Sequence, residues 1–376
     1  MTRVEVINLV KVYDKFVAVN DISFTVNSGE FFGLLGPSGC GKTTTLYCIS
    51  GIETPTKGRI LFDGIDVTNV PTQQRNIGMV FQSYAIFYNM TVYDNLAYPL
   101  RIRKMPKNEV HRKVGEIAEL LGLKDILIVK GSRLTPAQMQ LVSLGRAIIY
   151  DPSILLLDEP LSNLDPAFRM ETLRHIRRIQ RLLKITAIFV THDQLEALSA
   201  CDRIAVMQTG RIIQIGRPDE VYYNPANTFV AEFVGTPPMN LIEAAVENRG
   251  GENVLTAKEL VRPIIYSGAA PLAQEENVFL GFKPEEAVIC SRGDEPKDGL
   301  VINGRIRAVE RTAIENIYIV EVGEKTVKFV TKSEIPLGGK VLIHVPTSNL
   351  YIYSKKTGTL LCSPQRQLNL SSANQS

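Results

Sequence analysis

Cysteine is scarce and unpatterned: Cys40, Cys48, Cys201, Cys290 and Cys362 form an odd set without a C-x-x-C pair. That suggests neither a disulfide framework nor a cysteine zinc site, and it points to a reducing compartment. Charge of one sign is also missing. Forty-two basic residues against 39 acidic ones leave +3, so the balance selects neither nucleic acid nor an anionic membrane as a partner. No window approaches the roughly 20 apolar residues of a membrane span. The opening MTRVEVINLVKVY alternates like a strand and lacks the apolar centre of a signal peptide. If the protein works at a membrane, another chain must do the spanning. What is present is core material: 45% of the 376 residues are hydrophobic, a length and composition that suit two or three globular domains.

The first 35 residues read as short alternating strands leading into the apolar run FFGLLG, a glycine-rich turn and then a helix. GRILFDGIDV predicts a hairpin about Asp63-Gly64 with a type I′ turn. Helical character dominates from about 88 to 150, where Val110, Val114, Ile117, Leu120 and Leu121 recur at helical spacing. SILLLDEP and TAIFVTHD are short, bounded and without polar alternation, as expected of strands buried on both faces in a parallel sheet. Between them a helix is expected with Asp165 as cap and Pro166 in its first turn. Leu173, Ile176, Ile179 and Leu183 line its inner side, and Arg174, Arg177, Arg178 and Arg181 form a solvated face. Pro237-Pro238 marks a boundary. Beyond it, segments such as NIYIVEVGEKTVKFV predict a small all-β barrel, followed by a polar tail over 364–376 that is expected to be disordered.

GPSGCGKTT fits G-x-x-x-x-G-K-[ST], with Gly36, Gly41, Lys42 and Thr43 following a buried strand and opening a helix. Backbone N–H groups over Gly36, Pro37, Ser38, Gly39, Cys40, Gly41, Lys42, Thr43 and Thr44, proline excepted, would surround nucleotide phosphates. Lys42 would reach the outer phosphates, and the Thr43 hydroxyl would join a Mg²⁺ shell. At the end of ILLLDEP, Asp158 is placed to hold Mg²⁺ and Glu159 to polarise an attacking water. Taken alone, two carboxylates at a strand end also serve merely to solvate a sheet edge. His192 ends the next apolar run, on the rim where doubly wound sheets bind ligands. Gln82, in VFQSYAIFYNM, gains meaning only beside these others.

In this order the phosphate loop, Gln82, ILLLDEP, LSNLD at 161–165 and THD at 191–193 resemble the ATPase subunit of ABC transporters. TFVAEFVGTPPMN, GFKPEEAVI and LYIYSKKTG extend the resemblance, through about residue 360, to maltose- and glycerol-phosphate-type carbohydrate importers. The resemblance implies an α/β P-loop NTPase over 1–236, with a RecA-like core, an antiparallel β subdomain and a helical subdomain about 88–150. An OB-like β-barrel regulatory domain would occupy 237–363. It also implies ATP and Mg²⁺ as cofactors, with Thr43, Gln82 and Asp158 on the metal. Tyr13 would stack on adenine, and Gln82 would join Lys42, Glu159 and His192 in catalysis while coupling to the membrane partner. His192 would hold the γ-phosphate, and Asp165 would act across a dimer interface. The implied partners are two membrane-spanning permease subunits on whose cytoplasmic side the chain sits, and indirectly an extracytoplasmic solute-binding protein. No nucleic-acid partner is expected, because the barrel region lacks a basic and aromatic stripe.

One segment departs from that pattern. The family presents Leu-Ser-Gly-Gly-Gln at a helix N-terminus to the ATP held by a second subunit. Here the equivalent positions are Leu134, Thr135, Pro136, Ala137 and Gln138, with Leu141 where a basic residue is usual. Proline has no N–H to offer a phosphate oxygen, and a β-carbon at 137 obstructs close backbone approach. A homodimer would carry this defect at both composite sites. A heterodimer with a non-identical ATPase would keep one site competent, and that is the expectation, with a slow homodimer and a soluble ATP-dependent clamp as alternatives.

Overall fold

The computed structural model describes residues 2–249, 252–266, 272, 275–290, 296, 298–312 and 314–364; the expected disorder of the tail falls outside them from 365 onward. The chain divides into two compact units, Met1–Val221 and Tyr222–Ser376.

In the first unit β1 (Val4–Tyr13) and β2 (Phe16–Val26) pair antiparallel, and β1 also pairs with the strand after the first helix. β3 is Phe31–Leu35 and α1 is Lys42–Ser50; then β4 (Lys57–Phe62) and β5 (Ile65–Asp66) close a sheet of order β2-β1-β4-β5. Asp63 and Gly64 join β4 to β5 with φ of 50° and 81°, the two positive values that a type I′ turn requires. β6 (Ile77–Val80), β7 (Ile154–Asp158), β8 (Thr186–Thr191), β9 (Arg203–Gln208) and β10 (Arg211–Gly216) complete a second sheet with β3, in the order β10-β9-β3-β8-β7-β6. All its pairings are parallel except β9 with β10. Every residue of β3, β7 and β8 is buried, which is why these strands read as unbroken apolar runs.

The helix α1 lies within one core shared by both sheets. Leu46, Cys48 and Ile49 cluster with Val6, Leu9 and Ile22 of the antiparallel sheet and with Leu34, Leu156 and Val190 of the parallel one. Each large apolar side chain so buried contributes roughly 1.5–3 kcal/mol. Between β6 and β7 come α2 (Val92–Ile102), α3 (Lys107–Leu120) and α4 (Pro136–Ile148). On α3, Val110, Val114 and Ala118 are buried, while Ile117 and Leu120 are only partly covered. Gly145 of α4 lies at the crossing of the three helices. A β-carbon there would stand 2.5 Å from Leu96 Cδ2 and 2.8 Å from Leu121 Cδ1.

The helix after β7 is α5 (Pro166–Leu183), followed beyond β8 by α6 (Gln194–Ala200). Three expectations for α5 are corrected. Asp165 is the N-cap residue, but its side chain makes no capping bond. Leu183 is 40% exposed, because the helix ends in the left-handed residue Lys184, φ 53°, and the last turn leaves the core. Arg177 is not on a solvated face: it ion-pairs with Asp202, and its guanidinium lies 5.1 Å from the Phe31 ring centroid.

The second unit answers the all-β expectation with two antiparallel sheets. In spatial order the first contains strands 264–266, 252–256, 240–249, 277–282, 351–354 and 360–362, and the second 288–290, 340–345, 300–311, 316–322 and 325–331. Ile242, Leu280 and Phe282 of one pack with Ile302, Val320 and Phe329 of the other in a single core. A bridge between Leu260 and Ile302 adds a backbone link. Among the described residues no helix is long and apolar enough to cross a membrane.

Candidate nucleotide site

The parallel register decides which side chains can meet. Leu35 pairs with Thr191 and Asp158 with Val190, so the residues that follow β3, β7 and β8 emerge together on the C-terminal rim of the sheet, where open α/β sheets bind ligands.

From β3 the chain turns through Gly36–Gly41 into α1. Gly39 and Gly41 have φ of 78° and 101°, a region side chains rarely enter. At Gly36 a β-carbon would come within 2.4 Å of Met207 O. Gly41 is the N-cap of α1 without a side-chain cap, and no acidic residue lies in the first turn. The helix therefore offers its first N–H groups and the positive end of its dipole to an anion. Lys42 is 3% exposed, and its ammonium donates to Gly36 O at 2.7 Å and Pro37 O at 2.9 Å.

Thr43 Oγ1 donates to Asp158 Oδ1 at 2.9 Å, joining the phosphate loop to the end of β7. Burial pushes the Asp158 carboxyl above its ordinary value, and the Thr43 hydrogen bond pulls it part of the way back. Glu159 holds a left-handed backbone, φ 43°, with its N–H bonded to Val190 O at 3.0 Å. Its Oε2 lies 3.0 Å from His192 Nδ1. The turn bearing His192 is braced by its neighbours: Thr191 Oγ1 accepts from Asp193 N at 2.9 Å, and Asp193 Oδ1 accepts from Leu195 N at 2.8 Å as the cap of α6.

A cleft of about 270 Å³ over this loop is lined by Tyr13, Phe16, Ala18, Ser38, Gly39, Gly41, Lys42, Thr43, Thr44 and Glu159. Tyr13 is 39% exposed, with Lys11 Nζ 4.7 Å from its ring centroid. Phe16, 62% exposed at the start of β2, was not expected from the sequence; an aromatic left in solvent at a strand start is its only signal.

Gln82 is exposed, and its amide makes no hydrogen bond among the described residues. Its carbonyl is held instead, by Asn163 Nδ2 at 2.7 Å, and Asn163 O accepts from Tyr84 OH at 3.2 Å. The loop after β6 is thus tied to the LSNLD turn by two residues that sequence spacing does not single out. Beside this loop a second cleft of about 270 Å³ is lined by Phe81, Tyr84, Tyr98, Ile102, Arg103, Arg146 and Tyr150, among others. The Arg103 guanidinium stacks 3.9 Å from the Tyr150 centroid, and that of Arg146 stands 4.4 Å from the Phe87 centroid.

The segment Leu134–Gln138 and Asp165 do not line the phosphate-loop cleft. Leu134 is buried, and Thr135 caps α4 in a capping box: its Oγ1 accepts from Gln138 N, while Gln138 Oε1 accepts from Thr135 N. Pro136 occupies the first helical position and Ala137 the next. The departure from glycine is thus built into a well-formed helix start.

A family model described as ABC transporter matches residues 19–162. The chain is similar to the trehalose/maltose import ATP-binding protein MalK of Thermococcus litoralis, with 41% identity across 95% of this chain and 99% of that protein. It is 42% identical to the sn-glycerol-3-phosphate import ATP-binding protein UgpC of Rhodopseudomonas palustris, over 88% of this chain and 86% of the relative. The spermidine/putrescine import ATP-binding protein PotA of Haemophilus influenzae is 40% identical over 82% of each chain. Among solved structures, a nucleotide-free ATP-binding cassette of an ABC transporter superposes with a TM-score of 0.53 at 29% identity, covering 58% of this chain and 92% of that one.

Proposed function

The chain belongs to the ATP-binding proteins of ABC transporters, which hydrolyse ATP, and on that premise we propose that it energises import of a carbohydrate or related small solute. The observation that carries the reading is the meeting of three strand ends on one rim: Thr43 joins the phosphate loop to Asp158, and the neighbouring Glu159 pairs with His192. Similarity to MalK over 99% of that protein supports sugar as the solute class. A polyamine found in the solute-binding protein that co-purifies with the complex would overturn that class.

In this reading the N–H groups of residues 39–44 and Lys42 bind the phosphates. Tyr13 and Phe16 offer aromatic faces to the base. Glu159 accepts a proton from the attacking water, and His192, bonded to Glu159, orients it and contacts the terminal phosphate. Mg²⁺ suits the donor set: a hydroxyl and a buried carboxylate are hard oxygen ligands. Among the described residues no group of three or more His, Cys, Asp or Glu is placed to hold a metal ion. Held by Thr43 and Asp158, such an ion would neutralise phosphate charge.

The aromatic and arginine-lined cleft beside the Gln82 loop is the proposed seat of the permease subunits, placing the chain at the cytoplasmic face of the membrane. The partner ATPase is proposed to be non-identical, because Pro136 and Ala137 withdraw a donor and narrow the approach on this chain's reciprocal surface. Lys42→Ala is expected to weaken binding of a fluorescent ATP analogue about ten- to hundredfold. Glu159→Gln should retain binding and lose at least about a hundredfold in turnover. Equal turnover in wild type and Glu159→Gln would refute the assigned base.

A further inference from the structure

Arg75 lies outside the nucleotide cleft, yet it is 4% exposed, and no carboxylate stands in ion-pair range of it among the described residues. Its guanidinium spends its donors on backbone carbonyls. Nη1 donates to Cys48 O at 2.9 Å and Ile49 O at 2.8 Å, Nε to Val70 O at 2.7 Å, and Nη2 to Thr68 O at 2.9 Å. Cys48 and Ile49 belong to the last turn of α1, where helical carbonyls lack intrahelical partners. Thr68 and Val70 belong to the segment that leads from β5 to β6. The fit is close: a β-carbon at Gly51 would stand 2.6 Å from Arg75 Nε.

Topology gives this fork its significance. α1 begins at the phosphate loop and runs nine residues, about 13 Å, away from the rim. β6 begins two residues after Arg75 and runs parallel to β7 toward the same rim, ending two residues before Gln82. Its start is tied to β7 as well, since Ser153 N donates to Asn76 O at 2.9 Å. The two elements whose near ends hold the phosphate loop and Gln82 therefore share one base, and the planar guanidinium is the group that joins them there. Packed side chains, hydrogen-bond networks and rigid elements carry coupling between sites where they have two discrete arrangements.

We propose that Arg75 is a positioning residue that couples the phosphate-loop helix to the Gln82 loop, an inference that rests on the phosphate-loop reading above. Lysine at this position keeps the charge but has no planar fork, so it cannot span α1 and the 68–70 segment together.

The test is hydrogen–deuterium exchange of the full chain with and without ATP, read at 36–44 and at 76–88, beside thermal melting. In wild type ATP should slow exchange at both segments. In Arg75→Lys the slowing at 36–44 should persist, while the ATP-dependent change at 76–88 falls about tenfold. Gly51→Ala, which crowds the guanidinium and also strains the left-handed C-cap of α1, should shift the same segment and serves if the lysine variant does not fold. A lower melting point with a wild-type ATP response at 76–88 would make Arg75 merely structural and overturn the proposal, as would the absence of any response there in wild type. Lys42→Ala separates the premise: if it leaves the response at 36–44 intact, the phosphate-loop reading fails instead.

Discussion

Changing Pro136 and Ala137 together to glycine tests whether the reciprocal surface is blunted, and structure sets opposite signs for stability and activity. Pro136 occupies the first helical position of α4, and the capping box between Thr135 and Gln138 uses the backbone and side chains of neither substituted residue. The variant therefore keeps the cap and gains one N–H and the space of one β-carbon. One hydrogen bond to a charged phosphate contributes about 1.5–3 kcal/mol, or roughly ten- to hundredfold in rate. Two glycines in a first turn cost about 0.5–1 kcal/mol each, a fall of a few °C in a unit of this size. The assay is steady-state phosphate release by the purified full chain alone, across a range of protein concentrations, since a site shared by two chains depends on their association. Wild type should turn over slowly. The double variant should melt lower and hydrolyse ten- to hundredfold faster. A wild-type chain that hydrolyses ATP briskly by pairing with itself, or a folded variant that is no faster, would refute the reasoning.

Two further outcomes follow from burial. Asp158 binds more protons folded than unfolded in the range above the ordinary carboxylate value, so without metal its contribution makes the fold less stable as pH rises through that window. Asp158→Asn should remove this slope, so the melting difference between variant and wild type widens with rising pH, while Mg²⁺-dependent hydrolysis falls about a hundredfold or more. An unchanged pH profile would remove Asp158 as its source. Gly145→Ala should destabilise by about 1–3 kcal/mol, because the added carbon meets Leu96 and Leu121. A higher melting point, as helix propensity alone would give, would show that α2 and α3 yield to it.

Where the sequence succeeded, the physical cause was local. β3, β7 and β8 are apolar because a parallel sheet covers them on both faces, and Gly36, Gly39 and Gly41 answer to close approach or positive φ at their own positions. Asp63-Gly64 carries its turn within two residues. Where it fell short, the determinant lay far along the chain. Arg177 pairs with Asp202 twenty-five positions away, so helical periodicity alone assigned it to solvent. Asn163 reaches Gln82 across 81 positions, Arg75 reaches Cys48 across 27, and Phe16 joins Tyr13 at the cleft through a strand reversal. Leu183 fits the apolar stripe of α5, but the stripe outlasts the contact because the helix ends there.

The lysine of the phosphate loop closes on its own turn. Two neutral carbonyls, Gly36 O and Pro37 O, accept two of the three N–H groups of its ammonium, so an incoming anion competes with those bonds or takes the remaining donor. A polyphosphate brings several negative oxygens at once and also engages the helix start. The two carbonyls thus hold the lysine at the helix start before any nucleotide arrives.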